Sequence, residues 1–328
     1  MDPLISILVP TYNRSALLRR ALGSVLAQTY ANIELLISDN HSSDDTPAVA
    51  AEFVRRDPRV RLLPSPPSDT PAMHNIRHVL AGAQGKYAVV LADDDFFLDY
   101  RYIEAGVSIL ESQQVGLLVP DCVIGRPVRE ATYLAISTIT PGREFFFGFW
   151  RGRYHIPVMS NLFDLEMARR CDPWNDPKIL YADLELWLKM MTLTDVAYYR
   201  YPAVYYHFHG QNIVSTVSMA MHKENIRFID NTARFAAATF GEQAVLEWKK
   251  AMLVEYWRTV IEEGHGPSFR DMAEMRAAIG LADEPLGWSR WVRAAKYISR
   301  HYRKARKNYY RARRRGLQHA EAMQAAPT

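Results

Sequence analysis

Three consecutive carboxylates, Asp93, Asp94 and Asp95, follow an apolar run and precede two phenylalanines in the stretch LADDDFF. Adjacent like charges repel, and each is costly to hold beside an apolar core. A divalent cation relieves both costs. Mg2+ or Mn2+ prefers carboxylate, water and phosphate oxygens, takes one or two protein carboxylates, and leaves room for a diphosphate. The competing reading is a solvated acidic turn in which Asp95 caps a helix, and the three residues alone do not choose between them.

The elements around them do. ISILVP (5–10), IELLIS (33–38), VRLLP (60–64) and YAVVLA (87–92) are short apolar runs, as expected of strands buried on both faces. Between them lie helical patterns. In residues 14–28, Leu17, Leu18, Ala21, Leu22, Val25 and Leu26 fall at helical spacing. Thr46 reads as an N-cap with Pro47 at the first helical position, and MHNIRHVLAGA follows as another helix. Alternating strands and helices imply right-handed crossovers and a mostly parallel sheet flanked by helices, an α/β fold. The first strand runs into Pro10, Thr11, Tyr12 and Asn13, the second into Asp39, and the fourth into Asp93, Asp94 and Asp95. In a parallel sheet these are all carboxyl ends on one edge, where open α/β sheets bind ligands. Tyr12 can stack on a base and Asp39 can accept a hydrogen bond from a uracil or thymine imide; as a bland alternative, Tyr12 is a half-buried aromatic at a strand end.

The rest of the chain sets limits. Its 328 residues, 48% hydrophobic, suffice for one large or two ordinary domains. Cys122 and Cys171 share no metal-ligand spacing and no disulfide framework. The N-terminus lacks a basic leader, and no stretch reaches the roughly 20 apolar residues of a spanning helix, so a cytoplasmic protein is expected. GLLVPDCVIG reads as a strand, and the aromatic-rich residues 145–163 as a mobile or binding segment. DLELWLKMMTL reads as a helix, VAYYRYPAVYYHFHG as extended structure, and the chain beyond His222 as helical.

ISILVPTYNR, LLISDNHSSDDT and LADDD, in that order, resemble the start of a family 2 glycosyltransferase with the GT-A fold, of the non-processive bacterial type. The resemblance covers residues 5–218, about two thirds of the chain. HNIRHVLAGAQGKY is similar to the family's N-x-x-x-A-x-x-x-A-x-G-K-Y pattern, with Asn75 as its Asn. The resemblance implies that Pro10, Thr11, Tyr12, Asn13, Asp39, Asn75, Asp93 and Asp94 line the nucleotide site. It makes Asp95 a direct ligand of Mn2+ or Mg2+, with Asp93 near the ribose and the metal's waters. Asp183, in Tyr181-Ala182-Asp183-Leu184-Glu185-Leu186-Trp187-Leu188, matches the family's catalytic Asp, although Ala182 replaces the usual preceding Glu and Asp183 would also serve as a helix N-cap. Glu185 is the fallback base. In YYHFHGQNIVSTVS, His209 matches a metal or diphosphate histidine, with His207 as the alternative. The processive members' Q-x-x-R-W is incomplete here, since Gly287 stands where Gln would precede Arg290-Trp291. The implied domains are a GT-A domain over 1–218, with a nucleotide-binding half 1–100 and an acceptor half 101–218, and a helical region over 219–328.

The implied reaction is an inverting, metal-dependent transfer of one sugar from a UDP- or dTDP-linked donor to a hydroxyl of a glycan or polyprenyl-linked acceptor. A nucleotidyltransferase is the rival enzyme, but PTYNRSALL lacks its Gly-rich, basic loop. A non-catalytic nucleotide-sugar-binding protein at a membrane is the second rival. Charge adds one more feature. Twelve of the 40 Lys and Arg lie within 290–315 with no acidic residue among them; the other 28 face all 36 Asp and Glu, a net of −8. Trp291, Ala295, Ile298, Tyr302, Ala305, Tyr309 and Ala312 form one stripe of a helix within the basic tail 288–315. Such a helix suits the anionic inner face of the cell membrane, at about 1 kcal/mol per basic side chain. Docking on the acidic body or on a second copy is the alternative, and no recognition module for nucleic acid accompanies the tail.

Overall fold

The computed structural model describes residues 2–67, 72–124, 129–130, 139–149, 156–157, 159–207, 217–262, 265 and 267–284. These fall into two units, one comprising the described residues up to 177 together with 182–207, the other 178–181 and the described residues from 217 on. His209 and the tail 288–315 lie outside the described residues, as does much of the aromatic segment.

The first unit is built on one sheet. Its leading strands are β1 (Ile5–Thr11), β2 (Ile33–Asp39), β3 (Val60–Leu62) and β4 (Tyr87–Val90), followed by β5 (Phe96–Phe97), β6 (Leu117–Ile124), β7 (Arg129–Glu130), β8 (Ile139–Thr140), β9 (Leu162–Asp164) and β10 (Val196–Tyr206). The order is β3-β2-β1-β4-β9-β6-β10-β5, with β7 on β6 and β8 on β10. The β3-β2-β1-β4 half is parallel, as is β6 with β10. Strand β9 runs antiparallel between β4 and β6 and joins the two parallel parts. Nearly every side chain of β1, β2 and β4 is buried, which is why these strands are continuous apolar runs rather than alternating ones. Gly85 opens β4 where a Cβ would sit 2.7 Å from the Leu4 carbonyl oxygen, so only glycine allows that approach.

Helices cover the sheet: α1 (Ser15–Leu26), α2 (Thr46–Arg56), α3 (Ala72–Ala81), α4 (Tyr102–Gln113), α5 (Gly142–Phe149), α6 (Leu165–Arg170) and α7 (Ala182–Met190). In α1, Leu18, Ala21, Leu22 and Val25 are buried, the stripe read from the sequence. The start of α2 corrects that reading. Thr46 is already helical, the cap position falls on Asp45, and the Thr46 hydroxyl accepts the Arg14 backbone N–H at 2.9 Å. The hydroxyl is therefore used to fix the chain leaving β1 rather than to cap its own helix.

The second unit contains α8 (Met219–Asn225), α9 (Arg227–Phe240), α10 (Glu242–Glu262) and α11 (Phe269–Ala278). Ser218 caps α8, and Ser268 with Asp271 forms a reciprocal capping box on α11. The buried Tyr256 hydroxyl accepts from Asn225 Nδ2 at 2.9 Å and donates to the His222 carbonyl at 3.2 Å, tying α10 to α8. No helix among the described residues is long and apolar enough to cross a membrane.

Candidate active site

The parallel register brings the sequence's polar strand ends together. Thr11 pairs with Asp39 at the carboxyl ends of β1 and β2, and β4 lies on the other side of β1. Beyond β4 the chain turns tightly, with the Asp95 N–H donating to the Ala92 carbonyl at 3.1 Å. This turn holds Asp93, Asp94 and Asp95, all buried.

Each carboxylate has its own partners. Asp93 Oδ2 accepts from the Thr11 hydroxyl at 2.8 Å and from the Tyr12 N–H at 3.3 Å, while its Oδ1 lies 3.4 Å from Arg14 Nη1. Asp94 pairs with the same guanidinium. Asp95, 1% exposed, accepts the His207 backbone N–H at 2.9 Å. Burial pushes Asp93 up to about 6, although Arg14 opposes it. Burial, with Asp94 next to it, pushes Asp95 up to about 8, although the His207 N–H opposes it. Negative charge is therefore costly to hold at this edge, and a cation beside it would relieve that cost.

Such a group of oxygens fits a divalent ion that takes one or two protein carboxylates and completes its shell from a diphosphate and water. Among the described residues no three of His, Cys, Asp and Glu form a ready-made metal cage, which is the pattern of a structural site rather than of this kind.

The remaining expected nucleotide residues divide. Tyr12 stands 55% exposed at the strand end, with Pro10 partly exposed before it. Asn13, at φ +50°, accepts the Ser43 N–H at 2.7 Å and donates its own N–H to Ser42 Oγ at 2.8 Å. Ser42 in turn donates its hydroxyl to Asp39. The loops after β1 and β2 are thus laced to each other around Asp39. Asn75 lies deeper, 3% exposed, and its amide bonds both Ser38 Oγ and the Ser38 carbonyl. It anchors α3 to the end of β2, next to Asp39.

Asp183 is the second residue of α7, inside the first turn and not at the cap. It is 3% exposed, and burial pushes it up to about 7 despite the backbone N–H of Leu184. Its Oδ2 has no hydrogen-bond partner among the described residues. Glu185, by contrast, pairs with Lys189 within the helix, where both are buried. The phenol of Tyr206, at the end of β10, is raised mainly by burial, then by the charges of Asp95, Asp94 and Asp183. The charges of the carboxylate turn and of Asp183 thus act in the same direction on the Tyr206 phenol, after burial.

Several residues here were not singled out by sequence. Arg14 follows PTYN directly, but nothing in its spacing ties it to Asp93 and Asp94, about 80 residues away. Arg20 donates to the Asp94 carbonyl at 3.0 Å and to His207 Nδ1 at 3.2 Å, and its guanidinium lies 4.3 Å from the Phe96 ring centroid. His207, the weaker of two histidine candidates, is the one within the described residues.

Residues 6–161 match the family described as glycosyl transferase family 2. A Campylobacter jejuni GalNAc(5)-diNAcBac-PP-undecaprenol beta-1,3-glucosyltransferase is 33% identical over 96 residues, covering 29% of this chain and 31% of that protein. An Escherichia coli UDP-Glc:alpha-D-GlcNAc-diphosphoundecaprenol beta-1,3-glucosyltransferase is 32% identical over 117 residues, covering 36% and 45%. The match thus spans less than half the length of these curated relatives. S. aureus TarS 1–349 in complex with UDP-GlcNAc superposes with a TM-score of 0.67 at 14% identity, over 95% of this chain and 92% of that one. The Pyrobaculum calidifontis mannosyltransferase bound to GDP-Man and Mn2+ gives 0.53 at 17% identity, over 95% and 86%. The fold is GT-A, and the domain matched over residues 6–161 belongs to the family 2 glycosyltransferases.

One stability prediction follows from burial alone. Asp93, Asp95 and Asp183 all bind protons more tightly folded than unfolded. Their stabilising contribution is therefore full below about pH 4 and is lost as pH rises through about 6, 7 and 8. The metal-free protein is expected to melt at least about 3 °C higher at pH 5.5 than at pH 8, read by differential scanning calorimetry. A flat or opposite trend would remove these carboxylates as buried, unneutralised charges.

Proposed function

We propose that the chain transfers one sugar, with inversion, from a UDP- or dTDP-linked donor to a hydroxyl of a lipid-linked glycan. The supporting observation is the gathering of Thr11, Asp39 and the buried Asp93–Asp95 turn at one edge of the parallel strands. Burial disfavours the ionised form of Asp93 and Asp95, a cost that a bound cation would relieve, and Asp183 is a buried carboxyl whose Oδ2 accepts from no described group.

In this reading Tyr12 stacks on the base at the open strand end. Asp39, steadied by Ser42, accepts the imide N–H. Thr11 and the Tyr12 N–H hold Asp93 toward the ribose. Asp95 and Asp93 would hold Mn2+ or Mg2+, with His209, outside the described residues, as a further ligand. The ion supplies charge relief on the leaving diphosphate. Asp183 Oδ2 accepts the proton of the acceptor hydroxyl as the oxygen attacks the anomeric carbon. Direct displacement from the opposite face inverts that carbon, with no covalent intermediate. A carboxyl titrating near 7 is suited to this at neutral pH, since it is ionised yet basic.

The undecaprenyl-linked acceptors named for both relatives, and the UDP-glucose donor named for the Escherichia coli one, motivate the acceptor and nucleotide classes. The basic tail 288–315 would hold the protein at the anionic surface where such acceptors lie. The domain division at 218–219 follows the same reading, with acceptor choice assigned to 101–218. Calorimetry with a nucleotide panel in the presence of Mn2+ tests the donor class. UDP or dTDP is expected to bind at least about tenfold tighter than UTP or dTTP; tighter triphosphate binding would favour a nucleotidyltransferase.

A further inference from the structure

Arg20 belongs to none of the roles assigned so far, yet its contacts reach three parts of the site. It projects from α1 and is only partly exposed. Its Nη2 donates to the Asp94 carbonyl, within the carboxylate turn, and to His207 Nδ1, at the end of β10. Its guanidinium also stacks over Phe96, the first residue of β5, which itself stacks on Tyr205 with ring centroids 5.0 Å apart. Strand β5 pairs with β10 through Tyr205↔Phe96 and Val204↔Phe97. The His207 N–H then closes the circuit on Asp95.

The chemistry of the Arg20–His207 bond is decisive. A guanidinium is a donor only and keeps its proton in proteins. His207 Nδ1 must therefore be the acceptor, with its lone pair in the bond. A neutral imidazole has one donor and one acceptor nitrogen, so the ring proton lies on Nε2. In that tautomer neither nitrogen offers a lone pair to a metal ion, whereas Nε2–H can donate to an anion.

We propose that Arg20 is a positioning residue for the donor site: it locks His207 as an Nε2–H donor and pins the end of β10 to the carboxylate turn. The proposal rests on the glycosyl-transfer reading for the ligand, a nucleoside diphosphate, but the tautomer does not. His207 then acts as a donor to the diphosphate, and metal ligation is left to Asp95 and its partners.

Two measurements test this. The first is the 15N–1H long-range correlation spectrum of the histidine-labelled parent protein at pH 7.5, with the His207 signals assigned by their loss in His207→Gln. A lone-pair Nδ1 with a protonated Nε2 is expected; a protonated Nδ1 overturns the lock. The second is a double-mutant cycle on UDP affinity with Mn2+, using Arg20→Lys, His207→Gln and the pair, each checked for a parent-like melting temperature. Arg20→Lys keeps the charge but loses the planar guanidinium that stacks on Phe96 while its Nη2 reaches both acceptors. Each single change is expected to weaken UDP about tenfold, and the double change no further, because the two residues act as one unit. Losses that multiply to about a hundredfold, or single variants that bind like the parent, overturn the proposal. If the parent itself fails to bind UDP, the donor-class reading fails, and the tautomer spectrum still decides the lock.

Discussion

Replacing Asp183 with Asn is expected to lower kcat for sugar transfer by about a thousandfold, the usual scale for removing a general base, while UDP affinity stays within about twofold of the parent. The asymmetry follows from position. Asp183 is buried in the first turn of α7, a different element from the β1 and β2 ends that carry Thr11 and Asp39, and its Oδ2 has no partner among the described residues. The amide fits the same volume and keeps an oxygen for the Leu184 N–H, but it cannot take a proton. Stability should move the other way. The carboxylate titrates near 7, so at pH 8 the folded parent holds a desolvated charge that Asn lacks. Asp183→Asn is expected to melt higher than the parent at pH 8 and alike at pH 5. The parent's kcat/KM should rise about tenfold per pH unit below 7 and level off above it. A variant with lost activity and a lower melting temperature would point to a structural role instead.

The second large effect is at Asp95. Asp95→Ala is expected to weaken UDP binding in the presence of Mn2+ by at least about a hundredfold, since a divalent ion contributes several kcal/mol to a bound diphosphate. Without metal, the parent and variant should bind UDP alike and weakly. Asp94→Ala should cost less, because the Asp94 side chain pairs with Arg14 and its backbone carbonyl, which Arg20 uses, survives the substitution. Calorimetry with and without Mn2+ reads both. Equal loss at Asp94 and Asp95, or Asp95→Ala binding like the parent, would sink the assignment of Asp95 as the ligand.

Much of the site was legible because it depends on period and order. Buried parallel strands are continuous apolar runs, so the carboxyl ends of β1, β2 and β4 could be placed on one edge from sequence, and Thr11, Asp39 and Asp93–Asp95 with them. What could not be read depends on pairing across long separations. Strand β9 enters antiparallel between β4 and β6, and no local signal distinguishes that from another parallel strand. The β5–β10 pairing brings His207 to Asp95 across 112 positions. Arg14 and Arg20 look like ordinary helix-start and helix-surface cations until the turn after β4 is packed against them. The Thr46 hydroxyl was misread for a similar reason: a local cap and a long-range bond to Arg14 use the same oxygen, and the long-range partner took it.

The most direct test of the account is the product itself. The full chain is incubated with Mn2+, a panel of UDP- and dTDP-linked sugars and an undecaprenyl-diphosphate-linked sugar acceptor, and the acceptor's mass is measured alongside the released nucleotide. The expected result is an acceptor heavier by one sugar residue, with one nucleoside diphosphate released per transfer. An acceptor of unchanged mass across the whole panel, with no nucleoside diphosphate released, would contradict it.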